Sequence, residues 1–194
     1  MTDLAEHPAI DSRPTDSRPP RTPGSRVGAF FAALLYALVA LGLRLVMARV
    51  FFLSGQAKIE GPELPIHLSI PNANLPALDF TVILPTAIKA STYQMFETQY
   101  AGLPIPSTVA AVLFTYAEFV LPICLVLGFA TRFAALVLLV MTVLLQVYVV
   151  PGMWWPAHVY WISILLVLMS LGPGAISIDA LIRWLYQRDR RVSP

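Results

Sequence analysis

Apolar and polar positions along this chain come in long blocks rather than in short alternation. Residues 1–26 are polar. From Val27 the chain runs apolar to Leu43 and continues through LRLVMARVFFLSG to about Gly55. Three more apolar blocks follow, at Val109–Phe129, Phe133–Val150 and about His158–Leu171, the last closed by Gly172-Pro173-Gly174. A helix needs about 20 predominantly apolar residues to cross the ~30 Å hydrocarbon core. The pattern therefore predicts an all-α membrane protein of four transmembrane helices, at about 27–55, 109–129, 131–150 and 157–172, with an outer loop at 56–107. Thr131 is placed to cap the third helix. Trp154 and Trp155 mark the interfacial start of the short fourth one. Beyond the Gly-Pro-Gly break, ISIDALIRWLYQR reads as an amphipathic helix on the membrane surface, with Ser177 or Asp179 at its start. Residues 189–194 form a short tail.

The remaining segments are predicted by composition. The first 26 residues hold five prolines and the echo DSRPTDSRPP, and cannot bury enough apolar surface to fold. They are expected to be a disordered Pro/Arg-rich tail. In the outer loop, LPALDFTVILPTAI is apolar but short and interrupted by Asp79 and Pro85, which predicts a re-entrant or interfacial segment. STYQMFETQY puts Tyr93, Phe96 and Tyr100 on one helical face, as a lid over the mouth of the bundle.

Charge sets the orientation. Arg13, Arg18, Arg21 and Arg26 precede the first helix, Arg132 lies between the second and third, and Arg183, Arg188, Arg190 and Arg191 close the chain. Opposite them stand only Lys58 and Lys89. The excess of arginine places both termini in the cytoplasm. Only 12% of residues are charged, against about a quarter in a soluble domain. A net charge of +2 gives no nucleic-acid patch. The single cysteine, Cys124, excludes an intramolecular disulfide and a CxxC pair, and its place in an apolar run suits packing.

Candidate chemistry lies inside the membrane. Glu118 is the one charge in Val109–Phe129, and an ionisable group there marks a functional site by default. Pro122 has no N–H, so the carbonyl of Glu118 also loses its helical partner. Along the first helix, Arg44, Ala48, Phe51, Gly55 and Lys58 form one stripe, and Gly42, Arg49, Leu53 and Gln56 a second. With the hydrocarbon core starting near Phe30, Arg44 lies about 5 Å from the level of Glu118, within an arginine's reach. Arg44 and Arg49 could equally snorkel to the headgroups. Glu118 is too deep for that; it is either half of a structural ion pair or a ligand- or proton-handling group. Gln146 and His158 share the outer half, so Arg44, Glu118, Gln146 and His158 form a candidate polar site. No metal-ligand spacing, nucleotide loop or catalytic triad is present, so the chain holds no self-sufficient catalytic motif.

RLVMARVFFLSGQAKI resembles the first-helix signature of the DoxX family, carried here by Arg44, Phe52, Ser54, Gly55 and Lys58. QYAGLPIP, the glutamate helix AEFVLPICLVLGFATRFAAL and the closing GPGAISID, with Gly172, Pro173, Gly174 and Asp179, follow in the family's order. PGMWWPAHVYW matches a subgroup. The resemblance covers about Arg44 to Arg183. It implies that residues 27–188 form a four-helix DoxX-like domain of a bacterial inner membrane. It also implies a link to membrane redox systems: the family's namesake is a subunit of an archaeal thiosulfate:quinone oxidoreductase, and bacterial relatives are associated with oxidative-stress or thiol-handling complexes. A subunit or accessory of a quinone-linked system is the leading expectation, with a quinone as cofactor, a soluble or membrane redox enzyme as partner, and homo-oligomers left open. A solute or lipid carrier and a membrane anchor for a soluble enzyme are the alternatives.

Overall fold

Four helices are long and apolar enough to cross a membrane: Val27–Lys58, Ser107–Leu127, Thr131–Tyr148 and Pro151–Leu171. The structure, a computed structural model, describes residues 23–68 and 78–189. In chain order the elements are α1 (Pro23–Lys58), β1 (Ile59–Glu60), β2 (Glu63–Leu68), β3 (Leu78–Ile83), β4 (Ala87–Ile88), α2 (Ala90–Thr98), α3 (Ser107–Leu127), α4 (Thr131–Tyr148), α5 (Val159–Leu171) and α6 (Ile178–Asp189). A 3-10 turn at Pro151–Met153 and one turn of π-helix at Trp154–His158 lead into α5. The protein is thus an all-α integral membrane protein with a structured loop between its first two spans. Residues 1–22 of the expected tail, and 190–194 of the other, lie outside the described residues; Pro23 to Arg26 are already helical.

Leu113, Val120, Phe133, Val140 and Val147 are exposed, which in a bilayer is the stable arrangement because lipid tails are their solvent. The interior is built where backbones can approach closely. Ala110, Ala111, Ala134 and Ala135 are essentially inaccessible and let α3 and α4 approach their neighbours closely, as small residues do between membrane helices. Met47, Phe51, Phe114, Leu125, Leu138 and Leu165 fill the rest of the core.

The outer loop differs from its expected form. Residues 78–83 form a strand: β3 pairs antiparallel with β2, from Glu63 opposite Ile83 to Leu68 opposite Leu78. β1 and β4 extend the same ribbon toward the bundle. Threonine, valine and isoleucine, β-branched, favour a strand over a helix at this length. The helical lid is present as α2. Phe96 is fully buried and its ring meets Phe114 of α3 edge-on at 5.7 Å.

At the other end, α3 stops at Gly128, whose φ of 68° needs no Cβ, and Phe129 N–H donates to Cys124 O at 2.9 Å. Thr131 is not the cap of α4. Instead the Asp179 carboxylate accepts from Ala130 N (2.9 Å) and Thr131 N (3.2 Å), placing a negative charge at the helix N-terminus. Asp179 N–H in turn donates to Gly128 O at 3.0 Å. Ser177 Oγ accepts from Ala180 N and starts α6. The aspartate needed at the start of α6 thus also ties α6 to the α3–α4 turn.

Candidate functional site: a buried ion pair at the end of the first helix

The stripe Arg44, Ala48, Phe51, Gly55, Lys58 is the buried face of α1, as helical spacing requires. Gly55 lets α1 touch the backbone of α3: a Cβ there would lie 3.0 Å from both the carbonyl carbon and the oxygen of Glu118. That contact fixes the register. The carbonyl freed by Pro122 faces Gly55, where only a Cα–H can approach so closely.

With that register Glu118 meets Lys58, not Arg44. Lys58 Nζ hydrogen-bonds the Glu118 carboxylate and also donates to Ser54 Oγ at 2.8 Å, one helical turn back. Both charges are buried. Glu118 lies eleven residues from the start of α3, about 16 Å into the span. Buried charges persist only when paired and hydrogen-bonded, and this pair is both.

The ribbon and lid close over the pair. Gln56 binds Ile83 with both ends of its amide, Nε2 donating to Ile83 O (3.1 Å) and Oε1 accepting from Ile83 N (2.6 Å). Thr92 Oγ donates to Lys58 O at 3.1 Å. Tyr100 stacks on Phe96 at 4.4 Å. Burial, and then the nearby Glu118 carboxylate, raise the Tyr100 phenol above its ordinary value of 10.0. The folded protein therefore holds this proton to higher pH than the unfolded chain. Its contribution is whole below the ordinary value and is lost as pH rises through the folded one. In a phenolate absorbance titration, the step missing from Tyr100→Phe is expected above pH 10.0, later than an ordinary tyrosine. A missing step at or below that pH would refute the placement.

Arg44 lies elsewhere. It is completely buried, and its Nη2 donates to Ile176 O at 2.6 Å. It sits by the α3–α4 turn, where its Nη1 lies only 2.1 Å from where a Gly128 Cβ would be. The expected Arg44–Glu118 pair is thus corrected. Eleven residues, about 16 Å of helix, separate Arg44 from the level of Glu118. Residues 27–35 explain the shift: they are apolar but wholly exposed, so α1 overhangs the bundle there and the depth counted from Phe30 is misplaced. Arg49 is exposed, on the outward face of α1.

His158 and Gln146 form their own pair. Gln146 Nε2 donates to Pro151 O at 2.7 Å, so its Oε1 is left to accept from His158 Nδ1 at 2.6 Å. The imidazole packs on Trp161, which meets Phe51 of α1. The π-helical turn places His158 inward at the head of α5. Of the four residues expected to converge, the structure joins only these two. The residue missed as Glu118's partner is Lys58, whose signal was its place four residues after Ser54 and three after Gly55. Among the described residues no group of His, Cys, Asp and Glu could hold a metal ion.

The profile of the family DoxX matches residues 39–151, more than half of the chain. The chain belongs to the DoxX family. The matched region of this DoxX protein runs from α1 through α4 and contains both members of the ion pair. No curated protein and no solved structure matches it significantly.

Proposed function

We propose that this DoxX protein is a subunit or accessory of a quinone-linked redox system of a bacterial inner membrane, concerned with thiol or oxidative-stress chemistry. The Lys58–Glu118 pair would be its proton-handling centre. The observation that carries the reading is a complete acid–base pair, with a phenol close by, held inside the membrane span beneath a lid. A quinone headgroup needs a donor at its carbonyl, an acceptor for its hydroxyl proton and flat apolar neighbours. Lys58 suits the first, Glu118 the second, and Phe96, Phe114 and Tyr100 the third. Bound there, the quinone would supply the electron transfer; Lys58 would orient it and Glu118 would take or return the proton. α2 must lift for the headgroup to reach them. The excess of arginine at the end opposite the ribbon supports a topology with both termini on the cytoplasmic side.

The test uses membranes containing the full-length protein. Glu118→Gln and the double variant Lys58→Met/Glu118→Leu are expected to abolish quinone-dependent activity while protein levels in the membrane stay at wild type for the double variant. Normal activity in the well-folded double variant would defeat the proposal. One observation favours a structural reading: Gln56, Lys58 and Thr92 all fasten the ribbon and lid to α1. In that reading the double variant stays active, and deleting residues 60–90 abolishes complex formation with the partner enzyme.

A further inference from the structure

At the end of the bundle away from the ion pair, α1 and α5 leave a gap in their packing. Between them lies a groove of about 50 Å³, lined by Tyr36, Val39, Leu43, Val167, Leu171 and Gly172 among others. Its walls are apolar. The one hydroxyl, Tyr36, is already engaged, donating to Leu171 O (2.8 Å) and Gly172 O (3.2 Å). Val39 and Leu171 are each 59% exposed, so the groove opens on the side where lipid tails lie.

Arg132 stands beside Gly172, one of the residues lining this groove. Its guanidinium covers Gly172, with Nε 3.2 Å and Nη2 3.5 Å from where a Cβ would be. It spends one donor, Nη2 to Ser170 O at 3.2 Å, and makes no ion pair among the described residues. Among the described residues, four of its five N–H groups meet no acceptor and are left for one outside the protein. Asp179, hydrogen-bonded to Ala130 and Thr131 beside Arg132, is followed one turn on α6 by Arg183, whose Nε donates to Asp179 O. An apolar slot facing lipid tails, with a largely uncommitted guanidinium beside Gly172 at its edge, matches a phospholipid of net negative charge.

We propose that this groove and Arg132 hold one anionic phospholipid, its acyl chain along Val39, Leu43 and Val167 and its phosphate on the guanidinium. The lipid would seal α1 to α5 where side chains leave a gap. The site lies at the opposite end of the bundle from Lys58 and Glu118, and stands whether or not that pair handles quinone.

The experiment is native mass spectrometry of the detergent-purified full chain with added phosphatidylglycerol or phosphatidylcholine. The wild type is expected to retain one phosphatidylglycerol, about fivefold in preference to phosphatidylcholine, the scale set by one arginine at an anionic surface. Arg132→Gln should bring that preference to parity. Val39→Trp, which fills the groove from an exposed position, should lower retention of both lipids. Arg188→Gln, the same charge change further along α6, should alter neither. Equal effects of Arg188→Gln and Arg132→Gln would reduce the site to general surface charge and overturn the proposal. Undiminished retention in Val39→Trp would overturn the acyl slot. Displacement of the lipid by inorganic phosphate would show a free-anion site instead.

Discussion

Replacing Glu118 by glutamine is expected to lower the stability of the solubilised protein by about 3–5 kcal/mol, because one member of a buried pair is left uncompensated. Lys58→Met should cost a similar amount for the same reason, with Glu118 stranded. The double variant Lys58→Met/Glu118→Leu should cost much less than either change alone, since apolar replacement of a whole buried pair is often neutral or stabilising. Denaturant unfolding of the wild type, Glu118→Gln, Glu118→Leu, Lys58→Met and the double variant in one detergent gives the comparison, with the cycle closed on Glu118→Leu. Strong non-additivity is required by a pair that is 60 residues apart in sequence yet hydrogen-bonded across two helices. If both single changes cost under about 1 kcal/mol and simply add, as for an exposed pair, then Lys58 and Glu118 do not share a buried contact. The double variant is also what separates function from fold, because it removes the proton-active groups while leaving no charge unpaired.

The helical faces were legible from spacing, and their depths were not. Arg44, Ala48, Phe51, Gly55 and Lys58 were grouped by helical geometry alone, and all of them are buried. Which of them meets Glu118 depends on how α1 slides along α3, and hydropathy is blind to that: residues 27–35 are as apolar as the packed part of the helix and touch little. What sets the slide is a single steric fact, the close approach of Gly55 to the backbone of Glu118. A glycine in an apolar run announces that something comes near; it does not say what. The ribbon does not show in the sequence because β2 and β3 are apolar enough to suggest membrane contact, while their pairing joins residues ten to twenty positions apart. The junction of Arg44, Gly128 and Asp179 was invisible for a similar reason, since three segments remote in sequence build it.

Gly55→Val should be strongly damaging although it alters no charge. The added Cβ would meet not a flexible side-chain tip but the carbonyl carbon, oxygen and Cβ of Glu118, at 3.0, 3.0 and 3.2 Å. Backbone inside a helix cannot rotate away, so α1 and α3 must part. Overpacking of this kind costs about 1–3 kcal/mol, occasionally more. Parting the helices also draws Lys58 from Glu118, so the effect should exceed that range and approach the loss expected for Glu118→Gln. Gly42→Ala is the matched control, because a Cβ at Gly42 has nothing within 4 Å. There the change should be neutral or stabilising by up to about 1 kcal/mol, the helix-propensity difference between glycine and alanine. Thermal unfolding in detergent would order the three proteins as Gly42→Ala at or above wild type and Gly55→Val far below both. Equal tolerance at the two glycines would mean that α1 is not held at the level of Glu118 by Gly55, and the pairing of Lys58 with Glu118 would lose its steric cause.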